Sequence, residues 1–248
     1  MSPVLSPPSI SATSQAAESE STPEFQLTVS KTPTPHALYL PETSPRYKAL
    51  SKIPNAIIEI SPESLTCVSD MAIRIGGASR PTKKTEAASY MDKPVPSGAA
   101  LILDYGPTDT IPANTLRGIR QHKLVSPFAA PGEVDLSADV DFMALAEAAL
   151  NASPGVEIHG PVEQAAFLGA MGIQERVKML VNKARDQKEQ KTEDVDDVVR
   201  RIESGWKRLV DRGPTGMGRI YKAMAIVPYD SKKKTPRRPV GFGGDVQV

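Results

Sequence analysis

Apolar and polar positions alternate through "FQLTV", Phe25 to Val29, a period-two pattern that predicts a half-buried strand. The stretch after it, "KTPTPHALYLPETSP", carries Pro33, Pro35, Pro41 and Pro45 and reads as loop. "AIIEI", Ala56 to Ile60, predicts a second strand. "SPES" then opens a helix, with Ser61 as N-cap, Pro62 at the first helical position and Glu63 beside the positive end of the dipole. Leu65, Val68, Met71, Ala72 and Ile75 fall on one face of it, and Gly76-Gly77 closes it. A basic, aperiodic loop from Ala78 to Ser97 follows. "GAALILDYGPTD" is a glycine-bounded apolar run that ends in Asp104, Tyr105 and Gly106. It predicts a buried strand that delivers a carboxylate and a turn at its C-terminal end, the place where open α/β sheets hold their ligands.

The segment from "NTLRG" to "DLSAD" reads as short helix and loop. Asp139 or Asp141 can cap a helix that turns Phe142, Leu145 and Ala149 inward. "GVEIHG", Gly155 to Gly160, predicts a strand; "PVEQAAFLGAMG", Pro161 to Gly172, and "IQERVKMLVNKARDQKE" predict helices. A longer helix spans Thr192 to Asp211, acidic at its start and basic at its end. Its stripe of Val195, Val198, Val199, Ile202, Trp206 and Leu209 places Trp206 in the core. "RIYKAMAIVP" is the last strand. Strands alternating with helices indicate an α/β protein, with fewer strands than a doubly wound sheet requires.

Composition narrows the choices. The 248 residues include 23 prolines, so much of the chain is irregular. Lys plus Arg (30) almost cancels Asp plus Glu (29), which argues against a dedicated nucleic-acid binder. Cys67 is the single cysteine, so no internal disulfide forms. No apolar run is long enough for a membrane span. Residues 1–24 are rich in Ser and Pro, carry Glu18, Glu20 and Glu24, and lack Lys and Arg. They read as disordered chain and fit neither a mitochondrial presequence nor a secretory signal. Either the chain stays in the cytosol or its true start lies upstream. The tail from 228 to 248, with its "KKKTPRR" run, also reads as disordered.

The chemistry-bearing residues are sparse. "GPTGMGRI" and "GFGGDV" are glycine-rich, but neither sits between a strand and a following helix, so no nucleotide loop is present. His36, His122 and His159 are scattered and no zinc spacing exists. Asp139 and Asp141 either grip a cation or guanidinium by paired hydrogen bonds or cap the helix after them. Asp104 either points into the crevice or steadies the Tyr105-Gly106 turn. These residues alone describe an α/β domain with a cleft near Asp104.

Five segments in one order carry a resemblance: "IEISPESL", "GAALILDYG", "TLRGIRQHKLVSPFAAPGEVDLSADVDF", "GPVEQAAFLGAMGIQERVKML" and "GMGRIYKAMAI". Together they resemble the C-terminal half of the MidA-like methyltransferases. The eukaryotic members are mitochondrial protein arginine methyltransferases that assist assembly of respiratory complex I. The resemblance implies a partial Rossmann-like (class I) methyltransferase fold: the C-terminal half of the sheet with its helices, over residues 25–227, and disordered termini. It implies S-adenosyl-L-methionine as methyl donor, symmetric dimethylation of arginine on a complex I subunit, and the mitochondrial matrix as location. Carried over by position, Asp104, Tyr105, Asp139 and Asp141 are the catalytic candidates, and Arg117, His122 and Asp135 the substrate-binding ones; no metal is implied. The family's cofactor loop, its ribose-binding acid and the strand after them precede this region and have no counterpart here. The resemblance therefore makes the chain a C-terminal fragment, and an isolated fragment with a cut sheet is expected to be poorly soluble or partly molten. A non-catalytic assembly module is the competing expectation.

Overall fold

The computed structural model describes residues 25, 27–77, 93, 95–186, 194–214, 216–229 and 238–243. The expected disorder of residues 1–24 and most of the basic loop lie outside that range. By contacts the chain forms two compact units. The smaller contains Arg117–Ser137 together with Met1–Lys31; the larger comprises Thr32–Leu116 and Ala138–Val248.

The larger unit begins with three short turns of helix: α1 (Pro35–Tyr39), a 3-10 turn (Leu40–Glu42) and α2 (Pro45–Leu50). The sequence reads this region as loop because of its prolines. The prolines instead mark helix starts: Pro35 and Pro45 stand just inside N-caps whose side chains, Thr34 and Ser44, accept from Ala37 N and Arg46 N. Helix α3 (Pro62–Gly76) follows the expected plan, with Ser61 accepting from Ser64 N and Gly77 at φ 86° ending it. Its Val68, Ala72 and Ile75 are buried. Strand β1 (Ala100–Tyr105) leads, beyond the smaller unit, to α4 (Phe142–Ala152), β5 (Val156–Glu163), α5 (Gln164–Ala170), α6 (Ile173–Asp186), α7 (Val195–Val210), α8 (Met217–Ile220) and β6 (Tyr221–Pro228).

Strand β6 is the middle of a three-stranded sheet, antiparallel to both β1 and β5. Ala223, Met224, Ala225 and Ile226 are all buried, a continuous apolar run as expected of a strand covered on both faces. One face of the sheet presents Ile102, Met224, Ile226 and Ile158 to α3 and α4, where Phe142, Leu145 and Ala149 complete the main core. The other face presents Ala223 and Ala225, small enough for Phe167 and Phe242 to close over them. Phe242 is a difference from expectation. The tail reads as disordered, yet residues 238–243 are described and Phe242 is 8% exposed, with its ring 5.4 Å from that of Phe167. At the far side of the sheet, Leu101 and Leu103 are each about half exposed.

Other departures have local causes. Among the described residues Ala56 to Ile60 forms no ladder; Glu59 N donates across to Pro112 O at 2.9 Å. The described residues of "FQLTV" form no strand either. Strand β5 runs past Gly160-Pro161 through a register shift between His159 and Val162, so α5 starts later than expected. Gly160 takes φ 94°, and a Cβ there would meet Ala223 O at 2.5 Å. Trp206 is half-buried rather than core; its indole N–H is buried with no hydrogen-bond partner among the described residues. Within the smaller unit, β2 (Arg117–Arg120), β3 (Lys123–Val125) and β4 (Asp135–Ser137) form an antiparallel sheet in the order β3-β2-β4. The sequence reads this segment as helix and loop because its hairpin turn is Gln121-His122. Both residues have positive φ (50° and 62°) where Asn-Gly is the usual signal.

Candidate functional site

Strand β1 ends at Asp104 and Tyr105, β5 ends at Glu163, and β6 starts at Tyr221 and Lys222, so this edge of the sheet gathers polar groups. Asp104 and Glu163 both lie opposite Lys222, and directly opposed residues of antiparallel strands share a face. The three make one carboxylate–ammonium–carboxylate row at the margin of the main core. Lys222 is 5% exposed, and its Nζ donates to Arg219 O at 2.6 Å and Ile220 O at 3.2 Å. Burial holds its pKa below the ordinary lysine value, against the opposing pull of the Glu163 and Asp139 carboxylates.

Beyond this edge lies a cleft of about 580 Å³, floored by the segment from Gly106 to Thr115 and bordered by Asp139, Glu163, Arg219 and Lys222. Two devices hold that segment. Gly106 leaves the sheet beneath Val140, so close that a Cβ would meet Val140 O at 2.2 Å; the adjoining bond from Val140 N to Tyr105 O (2.9 Å) sets Asp139 at the border. At the other end the Glu59 carboxylate accepts from Thr115 N (2.8 Å), Leu116 N (3.2 Å) and the Thr115 hydroxyl. The same hydroxyl accepts from Asp139 N at 2.8 Å. Glu59 thus fixes the floor and, through Thr115, the backbone of Asp139. Replacing Glu59 with Ala strands three donors and is expected to cost about 1–3 kcal/mol. Hydrogen exchange should then quicken at the Thr115 and Leu116 amides. Unchanged protection would remove Glu59 from this role.

The seven candidates separate. Asp139 lines the cleft. Asp104 adjoins it, but its Oδ1 accepts from Tyr105 N at 2.8 Å, the turn-steadying option. Tyr105 lies on the other face of the sheet, edge-on to Tyr221 with ring centroids 5.3 Å apart. Asp141 caps α4 through Ala144 N (3.0 Å) and already grips a guanidinium: Arg46 Nη1 donates to both its oxygens, at 2.9 and 3.0 Å. The Tyr47 hydroxyl donates to it as well, at 3.1 Å. Arg117, His122 and Asp135 belong to the smaller unit. Arg117 and Asp135 share a face there, because Asp135 stands opposite Ile119, and His122 sits in the hairpin turn. Glu59, Glu163 and Lys222 were not among the candidates. Lys222 had a signal, as the one charged residue in the apolar run "YKAMAIVP"; Glu59 likewise interrupts "AIIEI".

The family described as "Putative S-adenosyl-L-methionine-dependent methyltransferase" matches residues 9–162, more than half of the chain. The chain belongs to this methyltransferase family. Relatives include the mitochondrial protein arginine methyltransferase NDUFAF7 of Rattus norvegicus, 39% identical over 132 residues, which are 53% of this chain and 27% of that protein. The Drosophila melanogaster homolog, named in the same way, is 36% identical over 131 residues, 53% of this chain and 27% of its own length. The chain thus aligns with about a quarter of the length of these relatives. A Burkholderia thailandensis protein described as a likely methyl transferase, crystallised with S-adenosyl-homocysteine, is 24% identical; the match covers 60% of this chain and 33% of that one, with a TM-score of 0.42.

S-adenosyl-L-methionine is the donor of this methyltransferase family. A donor-gripping loop needs glycines whose backbone stays open to the ligand between a strand and a helix. Gly106 is filled by Val140, while Gly216 and Gly218 of "GPTGMGRI" press on Asp211 O and Val210 O. Among the described residues these glycines serve packing, and none forms such a loop. The same residues contain no group of three His, Cys, Asp or Glu able to hold a metal, and no helix long and apolar enough to cross a membrane.

Proposed function

We propose that this chain is the substrate-side part of a protein arginine N-methyltransferase, which dimethylates arginine symmetrically on a complex I subunit in the mitochondrial matrix. The observation that carries the reading is the cleft at the C-terminal ends of β1 and β5, in a chain of a methyltransferase family. Relatives named as mitochondrial protein arginine methyltransferases support the substrate class and the compartment. In this reading the chain's task is to orient a guanidinium, with the Asp139 carboxylate as acceptor in the cleft, while the donor is held by a part of the enzyme that these residues do not supply. Asp104 steadies the turn that leads into the cleft floor, Tyr105 supports that turn from the other face of the sheet, and Arg117, His122 and Asp135 contact the substrate protein.

The packed glycines favour a second reading, a binding module for assembly without methyl transfer. Co-expression with the N-terminal portion of the rat relative separates the two. The pair is expected to bind S-adenosyl-L-methionine and to yield dimethylarginine on an arginine peptide by mass spectrometry, and the chain alone to do neither. A pair that folds and binds the donor but leaves arginine unmodified would establish the second reading instead.

A further inference from the structure

The hairpin of the smaller unit breaks two rules at its tip. Gln121 and His122 make the two-residue turn between β2 and β3, with φ of 50° and 62°. A left-handed backbone crowds any residue with a Cβ, and Asn-Gly would make the same turn with less strain. Arg120 and Lys123 then stand directly opposite each other, where like charges repel. The base of the hairpin is firm by contrast: Gly118 is buried, so close to Val134 that a Cβ would meet its Cγ1 at 2.6 Å. At the tip nothing packs in return. Residues 120–124 are all exposed, Leu124 at 74%.

Strain held where the fold gains nothing from it marks a functional position. The side chains concerned share one chemistry. The Arg120 guanidinium, Gln121 carboxamide, His122 imidazole and Lys123 ammonium can all donate hydrogen bonds. Glu133 accepts from Arg120, and Gln121, His122 and Lys123 have no partner among the described residues. Asp135, the other acid of the Arg117–Ser137 segment, stands opposite Ile119 on the other face of the small sheet. One carboxylate therefore serves two permanent cations and two further donors. We propose that Arg120 to Lys123 form a recognition tip that docks an acidic, extended segment of a partner protein. The turn uses Gln and His in place of Asn-Gly because their side chains reach that segment. That the partner is the methylation substrate rests on the arginine methyltransferase reading; the tip itself does not.

The test is fluorescence anisotropy of labelled Gly-Glu-Gly-Glu-Gly-Glu-Gly-amide and its Gln counterpart with the full chain, beside urea unfolding of each variant. The Glu peptide is expected to bind at least about tenfold more tightly than the Gln peptide. Gln121→Asn with His122→Gly should raise the urea midpoint yet weaken Glu-peptide binding about tenfold, because strain and two donors go together. Gln121→Ala with His122→Ala should weaken binding as much without raising the midpoint, which separates lost side chains from relieved strain. Lys123→Gln, at an exposed position, should weaken it as well. Equal binding of the two peptides, no binding, or a Glu preference unchanged in all three variants would overturn the tip. An Asn-Gly variant no more stable than the parent, or binding to phosphatidylserine vesicles in place of the Glu peptide, would overturn it too. If the co-expressed pair methylates arginine while the chain shows no Glu preference, the tip falls and the methyltransferase reading survives. If the preference depends on the tip but the pair never methylates arginine, the reverse holds.

Discussion

Asp141→Ala is expected to lower the stability of this chain by about 3–5 kcal/mol, the range for removing one partner of a buried ion pair. Three losses coincide. The α4 amide at Ala144 loses its cap, worth about 1 kcal/mol alone. Arg46 loses an acceptor at a side chain only 27% exposed, facing a carboxylate 8% exposed. Tyr47, 2% exposed overall, keeps a hydroxyl with no acceptor. Asp141→Asn retains an oxygen for the cap and should cost less. Urea unfolding of the three proteins measures the order, and a loss under about 1 kcal/mol for the alanine variant would show that Arg46 and Tyr47 find water instead. The same cluster predicts a pH effect. Burial first, then the Asp141 charge, pushes the Tyr47 pKa above its ordinary 10.0. A raised folded value means that stability is full below pH 10.0 and declines above it, as the unfolded tyrosine ionises first. Lys222 has the opposite sign: its lowered pKa makes its contribution rise with pH up to 10.5, the ordinary lysine value. Tyr47→Phe should abolish the alkaline decline.

The second large effect is Phe142→Ala. Phe142 is fully buried where α4 packs on α3 and the sheet, and aromatic truncation at such a site costs about 3–5 kcal/mol. Native chains of this size hold about 5–15 kcal/mol in total, so the variant should unfold early in urea or fail to fold. Phe142→Leu retains most of the volume and should cost about 1–2 kcal/mol. Similar midpoints for the two variants would mean that the pocket collapses around the smaller side chain. The position also bears on the site, because Asp139 and Asp141 lie just before this helix.

How far the sequence revealed these features depends on the range of the interactions involved. Helix α3 was legible because its cap, stripe and closing glycines are local. Strand β1 was legible from its apolar run, and the α4 cap down to a choice between two aspartates. Tertiary contacts decided that choice: only Asp141 has Arg46 and Tyr47 within reach. The small sheet was hidden by a turn that uses Gln121-His122 in place of glycine. "AIIEI" has a strand's residues, but Glu59 is engaged with Thr115, more than fifty positions away, which no periodicity reveals. Glu163 and Lys222 were missed for the same reason. Their significance comes from a register between strands distant in the chain, whereas Asp104 advertised itself at the end of a single run.

That register also governs time. Strand β6 follows β1 and β5 in sequence yet stands between them in the sheet, so the two are not joined until it arrives. During synthesis α3, β1, α4 and β5 must all emerge from the ribosome and wait, with the buried faces of Ile102 and Ile158 uncovered, until residues near 228 are free to insert. Such long-range closure is slow and leaves a window in which other strands can take the vacant place. The chain is therefore most open to mispairing in the interval between the emergence of β5 and that of β6.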